Sequence, residues 1–441
     1  MIQLISVAGK ETIEMMINRS KRFARKAVKV EQAQNMIMQH VQQLENEYTS
    51  IDSCLHRRIS EPLFSKECMP HFRRSGLDGY AVRSEEALFA TPQHPACLRV
   101  IDEVPAGYIS NKHVVPGTAI RIMTGSAVPD GADAVIMFEQ TEEYQEEGQV
   151  SIRIKHKVAH GQNIAKVGDE ITTGQLLMGA GTRIGPGQIA LLASMGYEEV
   201  PVFRRPVVGV LTTGSELISV GEPLQPGRIR NSNAYMIAAQ IEQYGGLAVK
   251  VGTAPDDIDE VNRTINHALE KCDMLIVSGG VSVGDYDVMA DFFTTTSEND
   301  TTLLFNKIAM RPGSPTSAAV INNKLVFGLS GNPGACFVSF ELLVRPVLLA
   351  MQGIESPCKH PIQAIITKDY DKGCPHDRYI RGRMMYSDEQ VKVGVLEKNN
   401  SSMLISIQDA NCIIRIPSGS KGIAAGQQVE VIPLPYEFTM Y

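Results

Sequence analysis

A chain of 441 residues is longer than one ordinary hydrophobic core serves, and its length alone points to about two to four domains. Hydrophobic residues make up 43% and charged residues 21%, the profile of a globular protein. A net charge of −7 argues against a general nucleic-acid-binding surface, which would be basic, and leaves room only for a local basic pocket.

The first 28 residues carry acidic Glu11 and Glu14 and no apolar stretch behind a basic start, so they do not read as a signal peptide. The cluster Arg19, Lys21, Arg22, Arg25 and Lys26 reads as a solvated helix face. Residues 31–48 place apolar side chains at helical spacing and predict an amphipathic helix. Residues 75–160 change character. Runs such as LRVIDEV, AIRIM, DAVIMFEQ and VSIRIKH, separated by PAG, VPG, PDG and EEG turns, predict a β-rich module. Residues 206–350 alternate apolar runs with helical segments, which predicts an α/β domain with a parallel-sheet core covered on both faces. The apolar stretch 335–351 is interrupted by Glu341 and Arg345 and falls short of the ~18–20 residues that span a bilayer, so it reads as a buried core helix with no membrane role. The tail from 355 returns to short strands and predicts a small C-terminal β domain. The eight cysteines show no CxxC spacing and the histidines no HExxH pattern. That argues against a zinc site or a disulfide framework, fits a reducing cytoplasm, and leaves oxygen ligands for any metal.

Ligands of an open parallel sheet bind beyond the C-terminal strand ends. Four such ends carry informative loops: Thr212-Thr213-Gly214-Ser215-Glu216, Asp256-Asp257, the run from Ser278-Gly279-Gly280 through Ser282 to Asp287, and Ser330-Gly331-Asn332-Pro333-Gly334. Gly and Ser let backbone N–H groups approach a phosphate, and a helix that starts just after adds its positive end. Each loop alone reads equally as a turn; three at one sheet edge point to a phosphate site. No GxxxxGK[ST] or GxGxxG occurs, so the site is neither a P-loop nor a dinucleotide fingerprint. Glu216, Asp256 and Asp287 each follow a different strand and together suit a divalent cation such as Mg²⁺, although Asp256 equally suits helix capping. Lys307 and Arg311 add positive charge for a phosphate or oxyanion.

At these residues the chain resembles a known family. Pro70-His71-Phe72-Arg73-Arg74-Ser75-Gly76-Leu77-Asp78-Gly79-Tyr80-Ala81 is similar to its PPFDRSAMDGYA signature, and RIMTGSAVPDGADAVIM, from Arg121, to its RIxTGAxVPxGADAVV segment. GVLTTGSEL, SGGVSVGDYD and GLSGNPGACFVSFELLVRP follow in the family's order. The family is the molybdopterin molybdenumtransferases, MoeA in bacteria and the E domain of gephyrin in animals. The resemblance implies an elongated four-domain chain: a linker domain from 29–74 and 161–203, a β-rich inserted domain 75–160, a molybdopterin-binding α/β domain 204–353 and a C-terminal β-barrel-like domain 354–441, after an N-terminal extension 1–28. It implies a homodimer whose active site is shared between subunits, further contacts with other proteins of molybdenum cofactor biosynthesis, and transfer of molybdenum from molybdate to adenylated molybdopterin with release of AMP. Asp78 and Thr124 would be the partner-subunit contribution. Glu216, Asp256 and Asp287 would hold the metal, Lys307 and Arg311 would be the basic group, and Ser401 would come from the last domain. Thr213, Gly214, Ser215, Ser278, Gly279, Gly280, Ser282, Ser330, Gly331 and Asn332 would hold the cofactor. The chain departs from the family at Ser314 within RPGSP (KPGKP in the family), at Ala165 and Glu170 within AKVGDE (RRxGED), and at His376-Asp377-Arg378-Tyr379 (GRxxF). Fewer cations around two anions would fit a paralogue that binds, stores or senses the pterin cofactor, or one that prefers tungstate.

Overall fold

The structure is a computed structural model that describes residues 26–255, 257–280, 301–358, 360–387 and 389–435. The chain divides into two compact units: one runs through Ser60, takes Arg183–Gly185, and resumes at Glu199; the other is Glu61–Thr182 with Pro186–Glu198.

The first unit is built on a six-stranded sheet. Its strands are β1 (Val207–Thr213), β2 (Leu247–Ala254), β3 (Met274–Ser278), β4 (Thr301–Phe305), β5 (Ser317–Ile321) and β6 (Lys324–Leu329), in the order β2-β1-β3-β6-β5-β4. The first four in that order are parallel, and β5 and β4 close the edge antiparallel, so the sheet is mixed rather than wholly parallel. Side chains alternate between the faces. Met274 and Ile276 join one core with Leu325 and Phe327, while Leu275 and Val277 join a second with Val326. Burial on both faces explains the near-continuous apolar runs. Helices α1 (Val30–Met38), α2 (Asn233–Gln243) and α4 (Pro333–Met351) cover the first face, and α3 (Ile258–Lys271) the second.

The amphipathic helix expected over 31–48 stops at Met38. Val41 and Leu44 still pack on the core, but Asn46–Ser50 pairs antiparallel with Glu199–Phe203. Five ladder pairs to a distant strand outweigh a weak helical pattern that contains β-favouring Tyr48 and Thr49. The apolar stretch ending at Met351 is a core helix, as expected: 94% of its most apolar window is buried.

The C-terminal strands Asp377–Ser387, Gln390–Val395, Ile362–Ile366, Gln428–Pro433 and Cys412–Ile416 pair in that order, and the last returns to the first, closing a barrel. Its interior holds Ile366, Ile380, Met384, Val393, Ile414 and Val431. The short strand Met310–Arg311 joins this barrel beside Asp377 and Arg378.

The second unit holds another six-stranded sheet, ordered Ala134–Met137, Gly79–Val82, Thr118–Ile122, Ala96–Val104, Gln149–Ile154, Thr141–Glu146. Its two faces also alternate: Tyr80 and Ile136 lie in one core, Ala81 and Val135 in the other. Gly79 pairs with both neighbours at once, and a Cβ there would run into the Ile136 carbonyl, so glycine is required.

Candidate active site

Three of the four expected loops converge. The ends of β1, β3 and β6 bring Thr213-Gly214 and Glu216, Ser278-Gly279-Gly280, and Ser330-Gly331-Asn332 around a cavity of about 500 Å³. Parallel strands end on the same side of a sheet, which is why loops 50 to 120 positions apart in sequence can meet (about that separation by residue number). Gly279 sits at φ +101°, and a Cβ on it would collide with the Thr213 carbonyl, so the third loop can lie against the first only as glycine. Gly214, at φ +143°, leaves room for the Glu216 carboxylate. Ser215 is exposed, and its carbonyl accepts from Arg228.

The second loop does not contribute in the same way. Asp257 caps α3, its carboxylate accepting from the Glu260 N–H at 2.9 Å. Asp256, Ser282 and Asp287 lie outside the described residues. Among the described residues no three His, Cys, Asp or Glu side chains converge as a metal site. Glu216 alone is too small a donor set to test against a divalent cation that takes about six oxygens.

A fourth wall comes from Arg230, Asn231, Ser232 and Asn233 at the start of α2. The Asn231 amide donates to Thr212 Oγ1 at 2.8 Å, and its Oδ1 accepts from Ala234 N at 3.2 Å. The helices α2 and α4 therefore both begin at this cavity, and each brings its positive dipole end to it. Asn332 occupies the N-cap of α4, but its side chain makes no capping bond. The Gly334 N–H is instead taken by the Ser401 carbonyl at 2.7 Å. That bond brings Ser401, from the barrel, to the edge of the fourth loop.

Beside Ser401 lies a residue the sequence reading missed. Arg381 is wholly buried, donating from Nε to Ser406 Oγ at 3.0 Å and from Nη2 to the Asn400 carbonyl at 2.9 Å. Its Nη1 has no partner and lies close enough to Gly334 that a Cβ there would collide with it. Burial pushes the guanidinium down to about 10, still charged at neutral pH. A mid-strand arginine carries no sequence signal of this kind; it lies on the strand face opposite Ile380 and Met384, the face that Tyr379 and Ile413 turn to the α/β core. Lys307 and Arg311 sit on the connection from β4 to β5, which pairs with the barrel through Met310 and Arg311; Lys307 is half-buried and Arg311 exposed. That segment reaches the cavity through Pro315, and Ser314 donates to the Ile308 carbonyl at 3.0 Å.

Two residues of the cavity wall carry polar atoms without a partner. Thr213 Oγ1 and Asn233 Oδ1 are both buried without a hydrogen-bond partner. A lone buried polar atom costs about 1–3 kcal/mol, which a ligand could recover. In the second unit, Asp78 and Thr124 also meet: Thr124 donates to Asp78 Oδ1 from both N and Oγ1, each at 2.6 Å. The Thr124 hydroxyl is engaged with Asp78. The hydroxyl bond first and the backbone bond second hold the Asp78 carboxyl below its ordinary value. Ala165 pairs with Arg74 in a short ladder, and Glu170 is exposed.

Comparison with known proteins covers nearly the whole chain. Residues 28–196 match the MoeA N-terminal region (domain I and II), 209–350 a probable molybdopterin binding domain, and 363–434 the MoeA C-terminal region (domain IV). The chain is 39% identical over 408 residues to a molybdopterin molybdenumtransferase of Bacillus subtilis, covering 92% of this chain and 94% of that one. It is 37% identical to one from Staphylococcus epidermidis, covering 92% and 96%. Among solved structures, a molybdopterin biosynthesis moeA protein from Pyrococcus horikoshii OT3 superposes with a TM-score of 0.78 at 29% identity, covering 92% of this chain and 99% of that one. The chain belongs to the MoeA family of molybdopterin molybdenumtransferases.

Proposed function

We propose that this enzyme inserts molybdenum from molybdate into adenylated molybdopterin, cleaving the adenylate and releasing AMP and molybdenum cofactor. The observation that carries this reading is the convergence of three Gly/Ser loops and two helix starts on one cavity that holds orphaned polar atoms. The positive dipole ends at the starts of α2 and α4 suit the phosphates of the substrate. Arg381 Nη1, fixed and dry beside Ser401, suits an anion, and Lys307 and Arg311 lie on the adjoining segment. A buried guanidinium keeps its charge where an ammonium would more readily lose its proton.

A divalent cation such as Mg²⁺ would neutralise charge on the phosphate oxygens. We assign Glu216, Asp256 and Asp287 to it on the family resemblance, and the roles given above to the chain's other residues stand without it. We also infer a homodimer in which Asp78 and Thr124 of one subunit complete the partner's cleft, with further contacts to other proteins of cofactor biosynthesis. A cytoplasmic setting fits eight cysteines that are all free.

The test mixes purified protein with adenylated molybdopterin, Mg²⁺ and molybdate, and follows AMP release together with reconstitution of an apo-molybdoenzyme. Both are expected, and both should require molybdate. Binding of the pterin without AMP release, with molybdate or tungstate, would turn the assignment toward a storage or sensing protein.

A further inference from the structure

Asn233, the first residue of α2, is 8% exposed and lines the cavity. Its amide is locked. Nδ2 donates to Ser278 Oγ at 2.8 Å and to the Gly331 carbonyl at 2.9 Å. A carbonyl can only accept, so the nitrogen must face Gly331 and the orientation of the amide is fixed. Ser278 is itself held, donating to the Ser330 carbonyl at 3.3 Å. The lock therefore joins the start of α2 to the loops after β3 and β6. What it leaves over is Oδ1, a buried acceptor with no partner on a residue of the cavity wall.

That residual atom does not suit the charged parts of the substrate. Phosphate oxygens, molybdate oxygens and thiolate sulfurs are acceptors, and a fixed carbonyl oxygen repels them. A hydroxyl rotates to suit its surroundings and is poorly selected by one rigid acceptor. An amino or ring N–H on a planar heterocycle is the complementary group. We propose that Asn233 is a specificity-determining residue of this cavity, its Oδ1 accepting a hydrogen bond from the exocyclic amino group on the edge of a heterocyclic base of the substrate. Thr213 Oγ1, the other orphan in the cavity, can serve either polarity. In adenylated molybdopterin both the pterin and the adenine carry such an edge. The proposal rests on the insertase function assigned to the same cavity.

The two sources can be separated with paired probes. Pterin is compared with lumazine, in which the 2-amino donor becomes a carbonyl acceptor, and AMP with inosine monophosphate, in which the 6-amino group does the same. Dissociation constants are measured for the wild-type protein and for Asn233→Ala. The wild type should prefer the amino form of one pair by about tenfold or more, and Asn233→Ala should erase that preference. Loss of the pterin preference assigns Asn233 to the pterin, and loss of the AMP preference assigns it to the adenine. A wild type with no preference, or a preference that Asn233→Ala leaves intact, overturns the proposal. If Asn233→Ala does not fold, Ser278→Ala decides: it frees one of the two anchors of the amide and should weaken the preference, and an unchanged preference overturns the proposal. Molybdate-dependent AMP release by the wild type is read in parallel. Its absence, with the base preference intact, removes the insertase function and leaves the recognition role standing.

Discussion

Asp78 and Thr124 lie 46 positions apart, and two hydrogen bonds to a single carboxylate oxygen hold them together. Both bonds favour the ionised carboxyl, the hydroxyl bond most, so Asp78 stays charged to lower pH than a free aspartate. Activity that needs this carboxylate is kept as pH falls and is lost only as pH passes through the depressed value. Thr124→Val removes the hydroxyl donor and should move the acid limb of the AMP-release profile to higher pH. An unmoved limb would mean that Asp78 is not the group titrating. A second carboxylate, Asp273, precedes β3 and takes a bidentate grip from Arg204 at 2.8 and 2.9 Å while accepting from Val207 N, the first residue of β1, at 2.7 Å. Burial raises its carboxyl, but Arg204 and the Val207 N–H more than offset this and hold it below the ordinary value. A carboxyl depressed on folding contributes stability above its unfolded value, and that stability is lost as pH falls through the folded one. Asp273→Asn should therefore cost about 2 kcal/mol at neutral pH in urea unfolding, and the difference from wild type should shrink in acid.

Among the elements, α4 shows how composition can mislead and how the side chains correct it. Its mean hydropathy is 1.7 over the most apolar window, enough to resemble a bilayer span. Yet it places Glu341 and Arg345 inside, one turn apart, at 1% and 5% side-chain exposure. Glu341 accepts from Gln240 Nε2 at 3.0 Å and from the Tyr244 hydroxyl at 2.7 Å, both on or just after α2. The charged pair thus fixes the register of α4 against α2, and a π-helical turn at Phe340–Val344 accommodates it. Glu341→Ala removes the charge facing Arg345 and the acceptors of Gln240 and Tyr244 and should cost about 3–5 kcal/mol, whereas Glu341→Gln removes the charge but keeps the shape and should cost about 1–2 kcal/mol; equal losses would mean that the charge carries the whole effect. The strands and three of the loops around the cavity were legible because buried runs end abruptly in Gly and Ser. The wall from Arg230 to Asn233 was not, since a helix start looks the same whether it faces solvent or a ligand. Arg381 was hidden for a related reason: alternation puts Ile380 in the barrel interior and Arg381 on the outer face, and nothing in the strand's own sequence says that this face is covered by another domain. The helix over 31–48 was overread because apolar spacing at Val41 and Leu44 persists where the backbone has already left the helix.

At the scale of the whole molecule, the cavity of the α/β domain and the Asp78–Thr124 pair belong to two separately compact units. The proposed homodimer supplies a reason for two signature motifs on one chain to serve one reaction: each subunit would lend one motif to the other's cleft. This makes a quantitative expectation. Asp78→Asn and Glu216→Gln should each lower AMP release by about 100-fold while leaving folding intact. Mixed and allowed to reassort, the two inactive variants form heterodimers in about half of the molecules. In each heterodimer one cleft carries both substitutions and the other carries neither, so about a quarter of wild-type activity should return. A mixture that stays inactive, with subunit exchange verified by tagged chains, would place both motifs in the cleft of a single chain. A monomer by light scattering at micromolar concentration would remove the shared cleft altogether.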